Sequence, residues 1–568
     1  MRRYRIALSL CLPSLCLPLA AHAQPAPDAG SLLQEIERSQ PSTLPGKRAP
    51  LPPLPQEMQA PSGAHVMVKS FRFVGNTLLT NEELAAVVAP YRDRSLNFAQ
   101  LQAAAADVAK AYRAAGWIVR AYLPKQDVTD GAITIQIVEA VFGGALIEGA
   151  AAQRVARERL LDIVAAQQRA GEPLNADAID RTLMLLDDLP GVSVAGALRE
   201  GARERETQLL LKLTDEPPMV GEFGLDNTGS RSTGRERLTA NVNLNSPFGQ
   251  GESFSANALL TRGSDYMRVG ASLPVGNDGW RLGANASHLR YKVITDDFKA
   301  LDIHGSSDSL AIDANYPIIR SRLGNLYFNA GLEQKSFDNR ARNLNTGSID
   351  PTTRYKLETV TLGLMGNLFD SLGGGGANSA SVSLIQGDLN LEGSPNQAAD
   401  AAGARTNGSY NKWRYALSRQ QALSEGLSLY AAYSGQRASK NLDSSEKFYL
   451  GGASGVRAYP SSEGGGAHGE LLTVELRYRL DPRTVLTAFH DSGRVTVNRN
   501  EFAVPPSLNN YSLRGSGVAV AWQGESGLNL KLVWARRDGG NLNPTATGND
   551  QDGSRIKDRI WLTATLPF

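Results

Sequence analysis

The sequence is almost without cysteine: there are two in 568 residues, Cys11 and Cys16. Both fall in a short N-terminal stretch in which Arg2, Arg3 and Arg5 precede an apolar run from Ile6 to Ala20. Ala21-His22-Ala23 then supplies an A-x-A cleavage site, so residues 1–23 read as a secretory signal peptide with Gln24 as the first mature residue. The mature chain therefore offers no thiol, no disulfide and no cysteine metal site, which suits a chain that crosses an oxidising compartment unfolded. It also lacks any run approaching the ~18 apolar residues of a membrane helix. Such a chain could enter a bilayer only as a closed barrel, because an unpaired strand edge is too costly in lipid. A formal charge of +2 excludes a bulk nucleic-acid binder.

Catalytic signatures are missing as well. No G-x-x-x-x-G-K-[ST], H-E-x-x-H or G-x-S-x-G pattern occurs, the six histidines are scattered, and no carboxylate pair stands out. We expect no enzyme, no cofactor and no metal. Gly464-Gly465-Gly466-Ala467-His468-Gly469 matches G-x-G-x-x-G but neither follows a βα strand nor opens a helix, and it reads as a flexible loop.

What is present falls into three textures. Gly30–Gln40 has helical periodicity, with Leu32, Leu33 and Ile36 on one side and Glu35, Glu37 and Arg38 on the other. Proline then recurs at 41, 45, 50, 52, 53, 55 and 61, as in a semi-rigid spacer. From about residue 65 the pattern is compact α/β. Lys69–Val74 alternates as a strand, Thr80–Tyr91 and Asn97–Ala115 read as helices, and strands at Trp117–Leu123 and Ala132–Glu139 follow. Thr80 and Glu83 have capping-box spacing. A second unit in the same β-α-α-β-β order runs from Val141 to about Asp215, a repeat of about 75 residues visible in element order more than in letters.

After Pro217-Pro218 alternation takes over. Leu472, Val474, Leu476 and Tyr478 interleave with Thr473, Glu475, Arg477 and Arg479, and Leu238–Asn245 and Leu528–Ala535 behave alike. Charged residues on the inward face suit a hydrated lumen better than a packed sandwich. Short connections such as Gly276–Gly279 alternate with long ones such as Asn390–Asn407 and Asp538–Arg555, the asymmetry of an outer-membrane barrel. Roughly 350 residues at about 22 per strand and connection give on the order of sixteen strands. An even count leaves both barrel ends on the side of the α/β units. The chain closes with Ile560, Leu562, Ala564, Leu566 and Phe568 on one face and Thr563 and Thr565 on the other. Alone, that tail fits a soluble sandwich as well as a lipid-facing strand.

Two motifs make a resemblance specific. Gly455-Val456-Arg457-Ala458-Tyr459-Pro460 lies in a long loop, and Phe489-His490-Asp491-Ser492-Gly493 lies at the end of a strand. The chain resembles the two-partner secretion transporters (TpsB family, haemolysin secretion/activation proteins of the ShlB/FhaC/HecB kind) within the outer-membrane insertase superfamily. The resemblance implies α+β periplasmic POTRA modules followed by an all-β transmembrane barrel of about 16 antiparallel strands. The expected boundaries are 1–23 signal peptide, 24–64 N-terminal helix and linker, 65–140 and 141–216 POTRA modules, and 217–568 barrel. It implies that Val456, Arg457, Ala458 and Tyr459 form the motif of the sixth extracellular loop, folded back into the lumen. Arg457 would pair with Asp491 of the wall motif Phe489, Asp491 and Gly493. Ala458 stands where the family has glycine. Leu123-Pro124-Lys125-Gln126-Asp127 matches the family's Pro-x-Gln, and terminal Phe568 resembles its C-terminal sorting signal. The implied function is export of a large partner exoprotein (adhesin, cytolysin or contact-dependent toxin) from periplasm to cell surface. The implied partners are that exoprotein, bound by the POTRA modules as an added strand, outer-membrane lipid, and barrel-assembly machinery with chaperones during biogenesis. A barrel-assembly insertase and a passive porin are the alternatives.

Overall fold

The structure is a computed structural model that describes residues 27–39, 44–46, 65–149, 153–502, 508–545 and 547–568. The expected signal peptide and most of the proline-rich segment lie outside the described residues. The first helix, α1 (Ala29–Ser39), is one residue offset from its sequence expectation.

Ser70–Val74, Val119–Tyr122 and Ala132–Glu139 form a three-stranded sheet with Ala132–Glu139 in the centre, parallel to the first strand and antiparallel to the second. Helices α2 (Asn81–Val88) and α3 (Phe98–Ala114) pack Leu84, Val88, Val108 and Tyr112 on Ile135 and Ile137. The capping box is formed: Glu83 N–H donates to Thr80 Oγ1 at 3.2 Å and Thr80 N–H to Glu83 Oε2 at 2.9 Å. A further short pair, His65–Val68 with Arg94–Asn97, was not legible in the sequence. Glu139 ends the central strand buried, accepting from the backbone N–H groups of Thr77 (2.6 Å) and Leu78 (2.9 Å) and from the Tyr112 hydroxyl (3.0 Å). Gln126 of the Pro-x-Gln segment pins its loop to Thr134, accepting from its N–H at 2.6 Å and donating to its carbonyl at 2.8 Å.

The second unit repeats the plan, with strands Val141–Glu148, Val192–Glu200 and Glu206–Asp215 in the same order and helices α4 (Arg157–Gln167) and α5 (Ala176–Asp187). Backbone hydrogen bonds join the units: Ile118 N–H to Leu174 O (3.1 Å), Leu174 N–H to Ala140 O (2.8 Å) and Ala176 N–H to Gly116 O (2.8 Å). The second unit sits on the near rim of the barrel. There Arg159 donates to Asn277 and Gly276, Arg181 to the Pro317 carbonyl, and Asp188 and Asp180 pair with Arg320 and Arg322.

Sixteen antiparallel strands close the barrel, from Met219–Asp226 to Asp558–Pro567. Turns at the rim of the α/β units are short (276–279, 321–323, 425–426, 482–483), whereas 391–407, 439–467 and 538–557 extend from the other rim. Alternation places Leu310, Ile312, Leu332, Leu417, Val518 and Ile560 outward, each at least half exposed, as a lipid-facing band. Trp280 stacked on Tyr316 (centroids 4.7 Å apart) and Phe223 stacked on Phe568 (4.8 Å) belong to the aromatic girdle near the α/β units. The first and last strands pair from Thr563↔Asp226 to Pro567↔Glu222, and Phe568 and Gly221 exchange backbone hydrogen bonds beyond that point. With Asn227 N–H donating to Leu562 O at 3.2 Å, the seam is bonded from Leu562 to Phe568.

Two sequence expectations change. Phe489–Gly493 lies inside the strand Thr484–Thr496, not at its end. Within the Gly464–Gly469 stretch, Gly465–Gly466 pairs with Phe448–Tyr449 as a small hairpin, so this loop has a defined shape.

Candidate functional site

Among the described residues, α1 and the 439–467 loop occupy the lumen. The loop enters as the Phe448–Tyr449/Gly465–Gly466 hairpin and turns at its tip, where Tyr459 N–H donates to Val456 O at 3.0 Å. Neither central residue of that turn, Arg457 or Ala458, has a positive φ. A turn of this kind has no need of glycine, so Ala458 sits there without backbone strain.

Arg457 is 6% exposed and Asp491 fully buried. The guanidinium grips the carboxylate through Nε (2.8 Å to Oδ2) and Nη2 (2.7 Å to Oδ1), while the Arg457 backbone N–H adds a bond to Oδ2 at 3.1 Å. Its remaining fork reaches Glu475 Oε1 at 2.7 Å, and Thr473 Oγ1 donates to Asp491 at 3.0 Å. Its Cζ lies 3.4 Å from the Phe489 ring centroid, a cation–π contact. Trp561 Nε1 donates to the Arg457 carbonyl at 2.8 Å. A cation with a planar fork, removed from water, thus finds two carboxylates and an aromatic face on the barrel wall.

Glycines on that wall make the room. A Cβ on Gly493 would stand 2.5 Å from Leu450, and one on Gly517 2.5 Å from Phe489. Val456, Ala458 and Tyr459 join Leu450, Leu513, Val533 and Trp561 in one buried cluster. The loop is also tied to the 538–557 loop. Arg537 lies over the Tyr459 ring at 4.4 Å, donates to the Ala458 carbonyl at 3.2 Å and pairs with Asp550. Glu463 accepts from Asn541 Nδ2 at 3.0 Å and Gln551 N–H at 2.8 Å.

Helix α1 lies against the opposite wall. Ala29, Leu32, Leu33 and Ile36 pack with Leu259, Tyr266, Leu289 and Tyr291. Glu37 pairs with Lys335 at 3.0 Å, Ala29 N–H donates to Asn339 Oδ1 at 2.9 Å, and Asp28 accepts from Ser444 Oγ at 2.9 Å. Arg38 donates to the carbonyls of Tyr449 and Gly451 (2.9 Å to the latter), so α1 and the loop hold each other.

The structure brings together Val456, Arg457, Ala458, Tyr459, Phe489, Asp491 and Gly493. Phe568 lies apart, at the barrel seam. Sequence reasoning missed Glu475 as a partner of Arg457, although its inward parity was visible. It also missed Thr473 and Trp561, which share that inward parity, and Arg537 and Asp550, for which no linear signal exists.

The family described as haemolysin secretion/activation protein ShlB/FhaC/HecB matches residues 205–519, and the ShlB-type POTRA domain matches residues 66–140. The heme/hemopexin transporter protein HuxB of Haemophilus influenzae is 24% identical over 552 residues, covering 94% of this chain and 95% of HuxB. The outer membrane transporter CdiB of Dickeya dadantii is 26% identical over 478 residues, covering 82% and 80%. The solved structure of CdiB from Escherichia coli superposes with a TM-score of 0.69 at 20% identity, covering 92% of this chain and 94% of that one. The chain belongs to the ShlB/FhaC/HecB family and is an outer-membrane transporter of two-partner secretion, its POTRA region in the periplasm.

Proposed function

We propose that this transporter moves one large exoprotein through its own lumen, and that α1 and the 439–467 loop are the parts that yield to let it pass. The observation that carries the reading is that both obstructions are separate segments held by side-chain contacts, whereas the barrel seam is fully bonded from Thr563 to Phe568. The POTRA modules bind the partner's N-terminal secretion domain as an extended chain, since each presents a three-stranded sheet with two edge strands. In this reading the protein acts as a conduit for the exoprotein. Folding of the cargo outside the cell makes back-sliding unfavourable and supplies the drive.

The Arg457–Asp491 pair, in this reading, anchors the loop tip while the rest of the lumen clears. HuxB is named for heme/hemopexin transport and CdiB only as a transporter, so the relatives leave the cargo open, and the cargo here is defined as the exoprotein that vanishes from the medium when this chain is removed. Deleting Gln24–Pro61 tests the plug: planar bilayers should show a higher conductance, and an unchanged conductance would remove α1 from the proposal. Depletion tests the class of cargo. Loss of a single exoprotein supports export, and a general loss of outer-membrane barrels would point to an insertase.

A further inference from the structure

The inner wall near the periplasmic rim carries a line of polar side chains that ends on the plug's own tether. Asp188, just past the end of α5, accepts from Arg320 Nε at 2.7 Å and Nη2 at 2.6 Å. Arg320 is a barrel residue that faces inward because of a bulge. The register of its strand shifts between Pro317 and Ile319, leaving Ile318 and Ile319 both exposed and turning Arg320 to the lumen side. Its Nη1 donates to Asn325 Oδ1 at 2.8 Å, Asn325 Nδ2 donates to Asn367 Oδ1 at 2.8 Å, and Asn367 Nδ2 donates to the Pro45 carbonyl at 2.6 Å.

Arginine can only donate, which sets the direction of both amides: each offers its oxygen toward Arg320 and its NH2 away from it. The last amide can therefore grip a carbonyl, and the carbonyl it grips belongs to the segment that follows α1. We propose that docking of the second module on the barrel holds α1 in the lumen through this relay, so that cargo engagement that draws Asp188 away from Arg320 loosens the tether at Pro45. The coupling is physical: without Asp188, the buried Arg320 fork turns to other acceptors, and Asn325 loses the partner that orients it. This rests on reading α1 as a removable plug.

The mature chain has no native cysteine, so spin labels on Ser39→Cys (α1) and Glu392→Cys (outer loop) report the position of α1 directly by pulsed electron resonance. Asp188→Asn and Asn367→Leu should each raise the displaced fraction about fivefold, the effect of one net hydrogen bond. The double variant should exceed the stronger single variant little, because both act on one line. Asn367→Leu leaves the module–barrel contacts intact, so it remains informative if Asp188→Asn detaches the module. An unchanged distance distribution in Asn367→Leu, or effects that multiply in the double variant, would overturn the relay. Failure of the plug itself reads out separately, as unchanged conductance on deleting Gln24–Pro61.

Discussion

Ala458 fits the barrel wall because the residue facing it is Gly515: a Cβ built on Gly515 would stand 2.6 Å from the Ala458 Cβ. The loop carries the methyl at this contact and the wall carries none. Gly515→Ala should therefore overpack the contact and destabilise the folded barrel by about 1–3 kcal/mol. Adding Ala458→Gly should recover part of the loss, but not all, since the new methyl would still lie 3.1 Å from the Arg536 carbonyl. The gel shift of the folded barrel on heating reads the change, and equal transition temperatures for Gly515→Ala and the parent would refute it.

Arg457 and Asp491 form a pair whose separation leaves a buried charge behind. Replacing either alone with alanine should cost about 3–5 kcal/mol of loop anchoring and abolish or sharply reduce secretion. Arg457→Lys keeps the charge but loses the planar fork, and should behave closer to alanine than to the parent. Protease cleavage within 439–467 on intact cells would report the freed loop. Parent-level secretion from Arg457→Ala would remove the anchor role.

Glu139 links pH to the fold of the first module. Burial raises its carboxyl pKa, but hydrogen bonds from Thr77, Leu78 and Tyr112 outweigh that effect and hold it below the ordinary carboxylate value. A depressed folded-state pKa means the contribution is present above the unfolded value of about 4.3 and fades as pH falls through the folded value. Thermal melts should show this unit weakening below about pH 4, and Glu139→Gln should flatten that dependence while lowering the melting temperature at neutral pH. A pH dependence surviving in Glu139→Gln would assign it to other groups.

Phe568 closes the seam by stacking on Phe223 and by exchanging backbone bonds with Gly221. Phe568→Ala should lose about 0.5–1.5 kcal/mol of ring contact beyond the burial term and slow barrel assembly. Pulse-chase of the heat-modifiable form would show delayed folding, and an unchanged rate would separate the terminal residue from assembly.

Strand parity was readable because one face meets lipid and the other water: Leu472, Val474 and Leu476 against Thr473 and Glu475 leave one choice of face. The capping box at Thr80 was readable for a local reason, since both partners lie within one turn. The Arg457–Asp491 contact spans 34 positions, and only resemblance to a family joined them. Arg537, Asp550 and Glu463 had no signal at all, because two loops meet only after the barrel has closed. The bulge after Pro317 was equally hidden: Ile318-Ile319 reads as an apolar run, and a shift of one residue in the ladder leaves no mark in composition.

The backbone hydrogen bonds between the two modules, with the ion pairs from Asp180 and Asp188 to the barrel rim, set the heading of both modules before cargo draws Asp188 from Arg320. A cargo strand arriving at either module is therefore first presented at one distance and one heading relative to the pore mouth. Such a mount works as a jig: it selects a partner by whether its chain, once held, points into the opening.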